Sequence, residues 1–201
     1  MAVEAAKPVM VIGIDDSEHA VAALEWTLDK FFSRTVRLQP FKLVVVHVKP
    51  SPDVFVGVSG PGRSVETYQA LDDDLKRKAA RTIELAREIC AAKSVTVEFR
   101  FLDLPYLSLL NLGLNGYELA MILKCDPIVF DGEFEVEEGD ARYVLCEAAN
   151  KHRASVLVVG SRGHGAIKRA LMGSVSDYCA HQAPCSVMIV KMKARSNKNS
   201  A

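Results

Sequence analysis

The chain has 201 residues, 49% hydrophobic and 25% charged, enough to bury one sizeable core and unlike a disordered segment. Twenty-five Lys and Arg balance twenty-five Asp and Glu, so the positive face that non-specific nucleic-acid binding needs is not expected. Five Cys without framework spacing argue against a disulfide scaffold and fit a reducing compartment, the cytoplasm or else the nucleus.

Residues 1–8, MAVEAAKP, lack the basic region and apolar run of a secretory signal. Val9–Ile14 is apolar almost throughout, as expected of a strand covered on both faces. Glu18 to about Phe32 carries Ala22, Ala23, Trp26, Leu28 and Phe31 at mixed three- and four-residue spacing, a helix pattern. Leu43–Val48 is a second buried-strand run. Residues 49–63 are interrupted by Pro and Gly and read as a loop at the carboxyl end of that strand.

Ser64 to about Ala92 is helix-forming, with Leu71, Leu75, Ala79, Ile83, Ala86 and Ile89 on one stripe. Val95–Phe99 alternates and is a candidate strand nearer an edge. The apolar stretch from Phe101 to Phe130 contains Asp103, Pro105, Glu118 and Lys124, so it does not offer an uninterrupted membrane span. Ala141–His152 and Val175–His181 are further helices, and Ser155–Val159 and Ser186–Val190 further strands. Strand and helix in alternation predict an α/β fold, a doubly wound five-stranded parallel sheet with helices on both faces. The final residues, 192–201, are basic and polar and are expected to be a flexible tail.

The chemistry concentrates in Ser155–Ser176. A strand runs into Gly160, Gly163 and Gly165, and Gly173-Ser174 follows. Glycines after a strand form a nest of N–H groups suited to an anion, and a helix start adds donors and partial positive charge. Ser174 to Asp177 reads as a capping box with Ser174 as the N-cap. The P-loop pattern fails because Ala166 and Ile167 stand where Lys and Ser/Thr are required. The dinucleotide fingerprint fails because Lys168 replaces its third glycine.

Gly160-x2-Gly163-x9-Gly173-Ser174 resembles the nucleotide motif of the universal stress proteins. Val11 to Glu18 resembles that family's first strand and acidic loop, and Val45-Val46-His47-Val48 its second strand. Gly139-Asp140-Ala141 resembles the turn before its third helix, and Pro184 to Val190 its closing strand. The likeness is to the small single-domain members of plants. It implies a Rossmann-like fold of the adenine nucleotide α-hydrolase type that holds ATP or AMP, with Mg²⁺ on the phosphates if the ligand is ATP. Asp15 matches the first-loop contact to the adenosine end, and Val48 the backbone beside the adenine. Gly160, Gly163, Gly173, Ser174, Val175 and Ser176 match positions around ribose and phosphates.

Other readings stand beside these. Asp15 is also a candidate N-cap, although Asp16 or Ser17 would serve as well. His47 reads as a satisfied core histidine. His164, Lys168 and Arg169 read as a solvated loop or as phosphate contacts. No Cys or His spacing marks a metal site, and no residue stands out as catalytic.

The resemblance implies a nucleotide-binding protein that acts in stress response through partner interaction or chaperoning. The alternative is an ATP-hydrolysing or nucleotidyl-transfer enzyme of the same fold group, whose S-G-G-x-D-S loop is replaced here by Asp15-Asp16-Ser17-Glu18. A homodimer through Ser186–Val190 is expected, because in the strand order that the resemblance implies this strand lies at a sheet edge. The family pattern breaks at Val95–Phe99 and resumes at Phe134–Glu137, so 99–133 reads as an insert within a single domain spanning 1–201. Only one of those two segments is expected in the third strand, with 100–133 looped out.

Overall fold

A computed structural model describes residues 6–32, 40–53, 65–101, 132–163 and 172–192. Five parallel strands form one sheet: β1 (Val9–Ile14), β2 (Lys42–Lys49), β3 (Gly132–Glu138), β4 (Val156–Gly160) and β5 (Ser186–Val190). Their order across the sheet is β3-β2-β1-β4-β5. Four described helices accompany them: α1 (Glu18–Phe31), α2 (Val65–Phe101), α3 (Ala141–Lys151) and α4 (Ser174–Gln182).

The apolar runs of β1, β2 and β4 bury residues on both faces, as a doubly covered parallel sheet requires. Met10, Ile12, Leu43, Val45 and Val158 face α1 and α2, meeting Ala23, Leu24, Leu28, Ile83, Ala86 and Cys90. Val11, Val44, Val46, Leu157 and Val159 face α3 and α4, meeting Leu145, Ala148, Ala149 and Cys179. Truncating a side chain buried this deeply, such as Leu24 or Leu157, costs about 2–5 kcal/mol. His47 is the buried, satisfied residue expected: its Nδ1 lies 3.0 Å from the Ile14 carbonyl oxygen.

The sheet order puts β1 between β2 and β4, and the chain leaves β1 toward one side and later returns on the other. That is the switch point at which open α/β sheets bind ligands, beyond the carboxyl ends of β1 and β4.

Three expectations are corrected. Val95–Phe99 is not a strand; it lies in α2, a run of residues without Gly or Pro to stop a helix. The strand position beside β2 accepts a single partner, and Gly132–Glu138 fills it from Leu43 to Lys49. Phe134 is anchored there with the Arg87 guanidinium 4.4 Å from its ring centroid. Phe134–Glu137 is therefore the segment in the third strand. The looped-out stretch expected at 100–133 is corrected at its two ends, since 100–101 lie in α2 and 132–133 in β3; 102–131 lie outside the described residues. Lys49, read as the start of a loop, is instead the last residue of β2, while 54–64 lie outside the described residues.

Candidate nucleotide site

The site begins at the end of β1. Ser17 has extended backbone (φ −77°, ψ 148°) and N-caps α1, its hydroxyl accepting from the Ala20 N–H at 3.2 Å. Asp15 is therefore not the cap. Its Oδ1 accepts from the Ser17 N–H at 3.0 Å and from the Ser17 hydroxyl. Its other oxygen, Oδ2, lies over Gly163: a Cβ built on that glycine would sit 2.7 Å away.

The second half of the site is the segment between β4 and α4. Its two ends are tied directly, since the Gly173 N–H donates to the Ser161 carbonyl at 2.9 Å. The buried Ser176 hydroxyl braces the same junction, 2.9 Å from the Gly173 carbonyl and 3.3 Å from that of Ser161. These bonds bring the Gly160–Gly163 and Gly173–Ser174 parts of the motif into one place. The intervening 164–171, with His164, Lys168 and Arg169, lie outside the described residues.

The capping box is also corrected. Gly173 is the N-cap of α4, with φ −77° and ψ 156°, and no side chain caps the helix. Ser174 is the first helical residue and is exposed. Because the Asp177 N–H already donates to the Gly173 carbonyl at 2.9 Å, the preceding first-turn N–H groups are the ones left for an outside acceptor. A glycine cap thus leaves open what a serine cap would have filled.

A cavity of about 260 Å³ lies between these parts, and all eight residues predicted from the sequence line it. Asp15 and Val48 come from the ends of β1 and β2. Gly160 and Gly163 follow along β4 and beyond it, and Gly173, Ser174, Val175 and Ser176 open α4. Their parts differ in detail. Gly160 is needed less for a ligand than for α1, because a Cβ there would meet the His19 carbonyl oxygen at 2.9 Å. Ser176 lends the cavity its position while its hydroxyl is engaged internally.

Seven lining residues were not predicted as site residues: Gly13, Ile14, Ala20 and Val159 beside the predicted ones, and Arg162, Ala141 and Leu145. Arg162 fills a variable position of the motif. Ala141 and Leu145 belong to α3, whose start is set by Gly139 (φ +143°), a backbone that side chains resist, and by Asp140, which accepts from the Arg142 N–H at 2.9 Å. The Gly-Asp-Ala run was the available signal.

Beside Val48, the buried Lys49 ammonium bridges Asp72 of α2 at 2.7 Å and Glu138 of β3 at 2.8 Å. The hydrogen bonds of Asp72 and Glu138 raise the Lys49 pKa, and Lys49 in turn holds both carboxyls below their usual range. The Gly139 N–H also donates to the Lys49 carbonyl at 2.9 Å, so this residue ties β2, α2 and the turn into α3 together.

Elsewhere, Glu133, Glu135 and His152 bring one donor atom each within 4.8 Å of one another, a grouping that sequence spacing did not reveal. Lys42 pairs with Glu133, and Lys151 with Glu135. The four described cysteines are free thiols. Among the described residues, no helix is long and apolar enough to cross a membrane.

A parallel doubly wound sheet with a glycine-lined cavity at its switch point defines a Rossmann-like α/β protein. The family model described as "Universal stress protein family" matches residues 8–191, and the chain belongs to that family. A curated relative, the universal stress protein A-like protein of Arabidopsis thaliana, is 26% identical over 173 residues, covering 86% of this chain and 78% of its own.

Solved structures share the fold. UspA from Lactobacillus plantarum has a TM-score of 0.57 at 16% identity, covering 92% of this chain and 99% of its own. An Arabidopsis thaliana universal stress family protein with AMP bound has a TM-score of 0.50 at 23% identity, covering 93% and 94%. A universal stress protein in complex with cAMP has a TM-score of 0.51 at 19% identity, covering 92% and 98%.

Proposed function

We propose that this chain binds ATP or AMP in the crevice beyond β1 and β4 and acts in stress response through nucleotide-dependent contact with, or chaperoning of, other proteins. The observation that carries this reading is the convergence of all eight motif residues on one cavity. The free N–H groups at the start of α4 suit a phosphate, and Asp15 suits a ribose hydroxyl or an adenine amine. The backbone at Val48 would lie along the adenine edge. Relatives solved with AMP and with cAMP support an adenine ligand.

The donor set fits the nucleotide better than it fits a resident metal. Asp15 is the one carboxylate among the described residues that line the cavity, and its Oδ1 is already engaged by Ser17. Mg²⁺ would therefore ride on the phosphates of ATP rather than on a protein cage. We assign no catalytic residue; the described cavity offers no base held against a nucleophile. Denaturing the purified protein and weighing the released nucleotide tests the reading. Adenine nucleotide in the supernatant supports it, and a protein that releases none and takes up none from millimolar ATP or AMP contradicts it.

The assembly proposed is a homodimer through β5, in the cytoplasm. β5 lies at the edge of the sheet, and Val187, Met188 and Ile189 are only half-buried there. Light scattering at micromolar concentration tests it: a dimer is expected, and a monomer counts against it. We also propose that 99–133 is an insert in a single domain, since the family match runs past it on both sides.

A further inference from the structure

We propose that Arg162 recognises the phosphate charge of the bound nucleotide and selects a 5′-monophosphate dianion over a cyclic phosphodiester. The proposal rests on the nucleotide reading above and assigns a specificity residue that the motif leaves open, since Arg162 stands at one of the two variable positions between Gly160 and Gly163.

Four observations meet at this residue. Arg162 lines the cavity and is half-buried. Among the described residues no carboxylate pairs with it, and it is the one cationic side chain among those that line the cavity. A cationic side chain at the wall of a cavity is a ready partner for an anion that enters it. The other charged lining residue described, Asp15, has one oxygen committed to Ser17 and the other over Gly163. Finally, the Arg162 Cα would be 3.3 Å from a Cβ on Gly173, so its backbone packs against the residue that opens α4 and exposes the first-turn N–H groups.

A guanidinium fork pairs best with two free oxygens of one phosphate. A 5′-monophosphate offers three oxygens and close to two negative charges above its second pKa of about 6, while a cyclic diester carries a single charge. Arg162 and the α4 N–H groups together would therefore favour the dianion, and the preference would grow as pH rises through that pKa.

Calorimetric titration of wild type, Arg162→Gln and Arg162→Lys with AMP, cAMP and adenosine tests this, with AMP repeated from pH 5 to pH 7.5. Wild type is expected to bind AMP more tightly than cAMP, and to gain AMP affinity as pH rises. Arg162→Gln is expected to lose about 10-fold or more for AMP, less for cAMP and none for adenosine, with the pH gain flattened. Arg162→Lys, which keeps charge but not the fork, is expected to fall between. Retained adenosine binding certifies that the variants are folded. Unchanged AMP affinity in Arg162→Gln, or an equal loss for AMP and adenosine, overturns the role of Arg162 while leaving nucleotide binding intact. A wild type that binds none of the three overturns both.

Discussion

The carboxylate of Asp15 lies directly above Gly163, with its Oδ2 2.7 Å from the place a Cβ would occupy. These two residues come from opposite sides of the switch point, one after β1 and one after β4. Any side chain at 163 would require the Asp15 carboxylate to shift from its present place in the cavity wall. The other oxygen, Oδ1, ties Asp15 to the cap of α1, so the wall, the helix start and the motif loop form one unit.

Gly163→Val places branched carbon where the carboxylate now stands. The Asp15 side chain must swing away or the loop must retreat, and either change spoils the cavity without touching the buried strands. A loss of nucleotide affinity of about 100-fold is expected, roughly 2.7 kcal/mol, with far-UV circular dichroism unchanged. The same affinity in the variant would show that this loop does not hold the ligand.

Asp15→Asn and Asp15→Ala separate the two oxygens of the carboxylate. Asn keeps an acceptor for the Ser17 N–H and hydroxyl, so its melting temperature should stay near that of wild type. Ala removes both bonds and should lower stability by about 1 kcal/mol, or roughly 2–4 °C. Both variants should bind nucleotide at least several-fold more weakly. Thermal melts with and without nucleotide distinguish the cases.

The Lys49 bridge predicts a pH profile. Asp72 and Glu138 have folded-state values held below 3.8 and 4.5, so their contribution is complete above about pH 5 and is lost as acid titrates through the lowered values. Lys49 is raised above 10.5, so its contribution is complete below that value and is lost as base titrates through the raised one. A melting-temperature plateau between roughly pH 5 and pH 10 is expected. Lys49→Met removes the cation between Glu138 and Asp72, leaving Asp72 with Lys76 at 2.6 Å, so its melting temperature should fall most at neutral pH and recover relative to wild type in acid. Parallel profiles for the two proteins would contradict the bridge.

Removing 99–133 joins Glu98 to Phe134, which keeps Phe134–Glu138 of β3 and its Arg87 contact. Val97 and Glu98 would then take the register positions of Gly132 and Glu133 beside Leu43 and Val44. The shortened chain is expected to fold at least as stably and to bind nucleotide equally well. Loss of a cooperative thermal transition in the deleted protein would show that the segment belongs to the core.

The strands were legible because runs such as Val9–Ile14 and Leu43–Val48 are apolar on both faces, and the sheet covers both. The site was legible because glycines spaced around a strand and a helix start have few other uses. Val95–Phe99 misled because it has the β-branched, alternating pattern of a strand while Gly132–Glu138 fills the place it would take. Ser174 misled because capping depends on backbone angles, and Gly173 adopts them one residue earlier. Arg162 carries no local pattern, and Gly139-Asp140-Ala141 marks only the start of α3; Arg162, Ala141 and Leu145 become cavity residues only when β4, α3 and α4 meet.

The central claim is that this cavity binds an adenine nucleotide, and isothermal titration of the purified full-length chain with AMP, and with ATP in the presence and absence of Mg²⁺, tests it most directly. A saturable isotherm with about one site per chain and a Kd of about 1–50 μM, roughly −6 to −8 kcal/mol, is the predicted result. No saturable binding up to millimolar nucleotide, in protein shown by mass to carry none already, would contradict it.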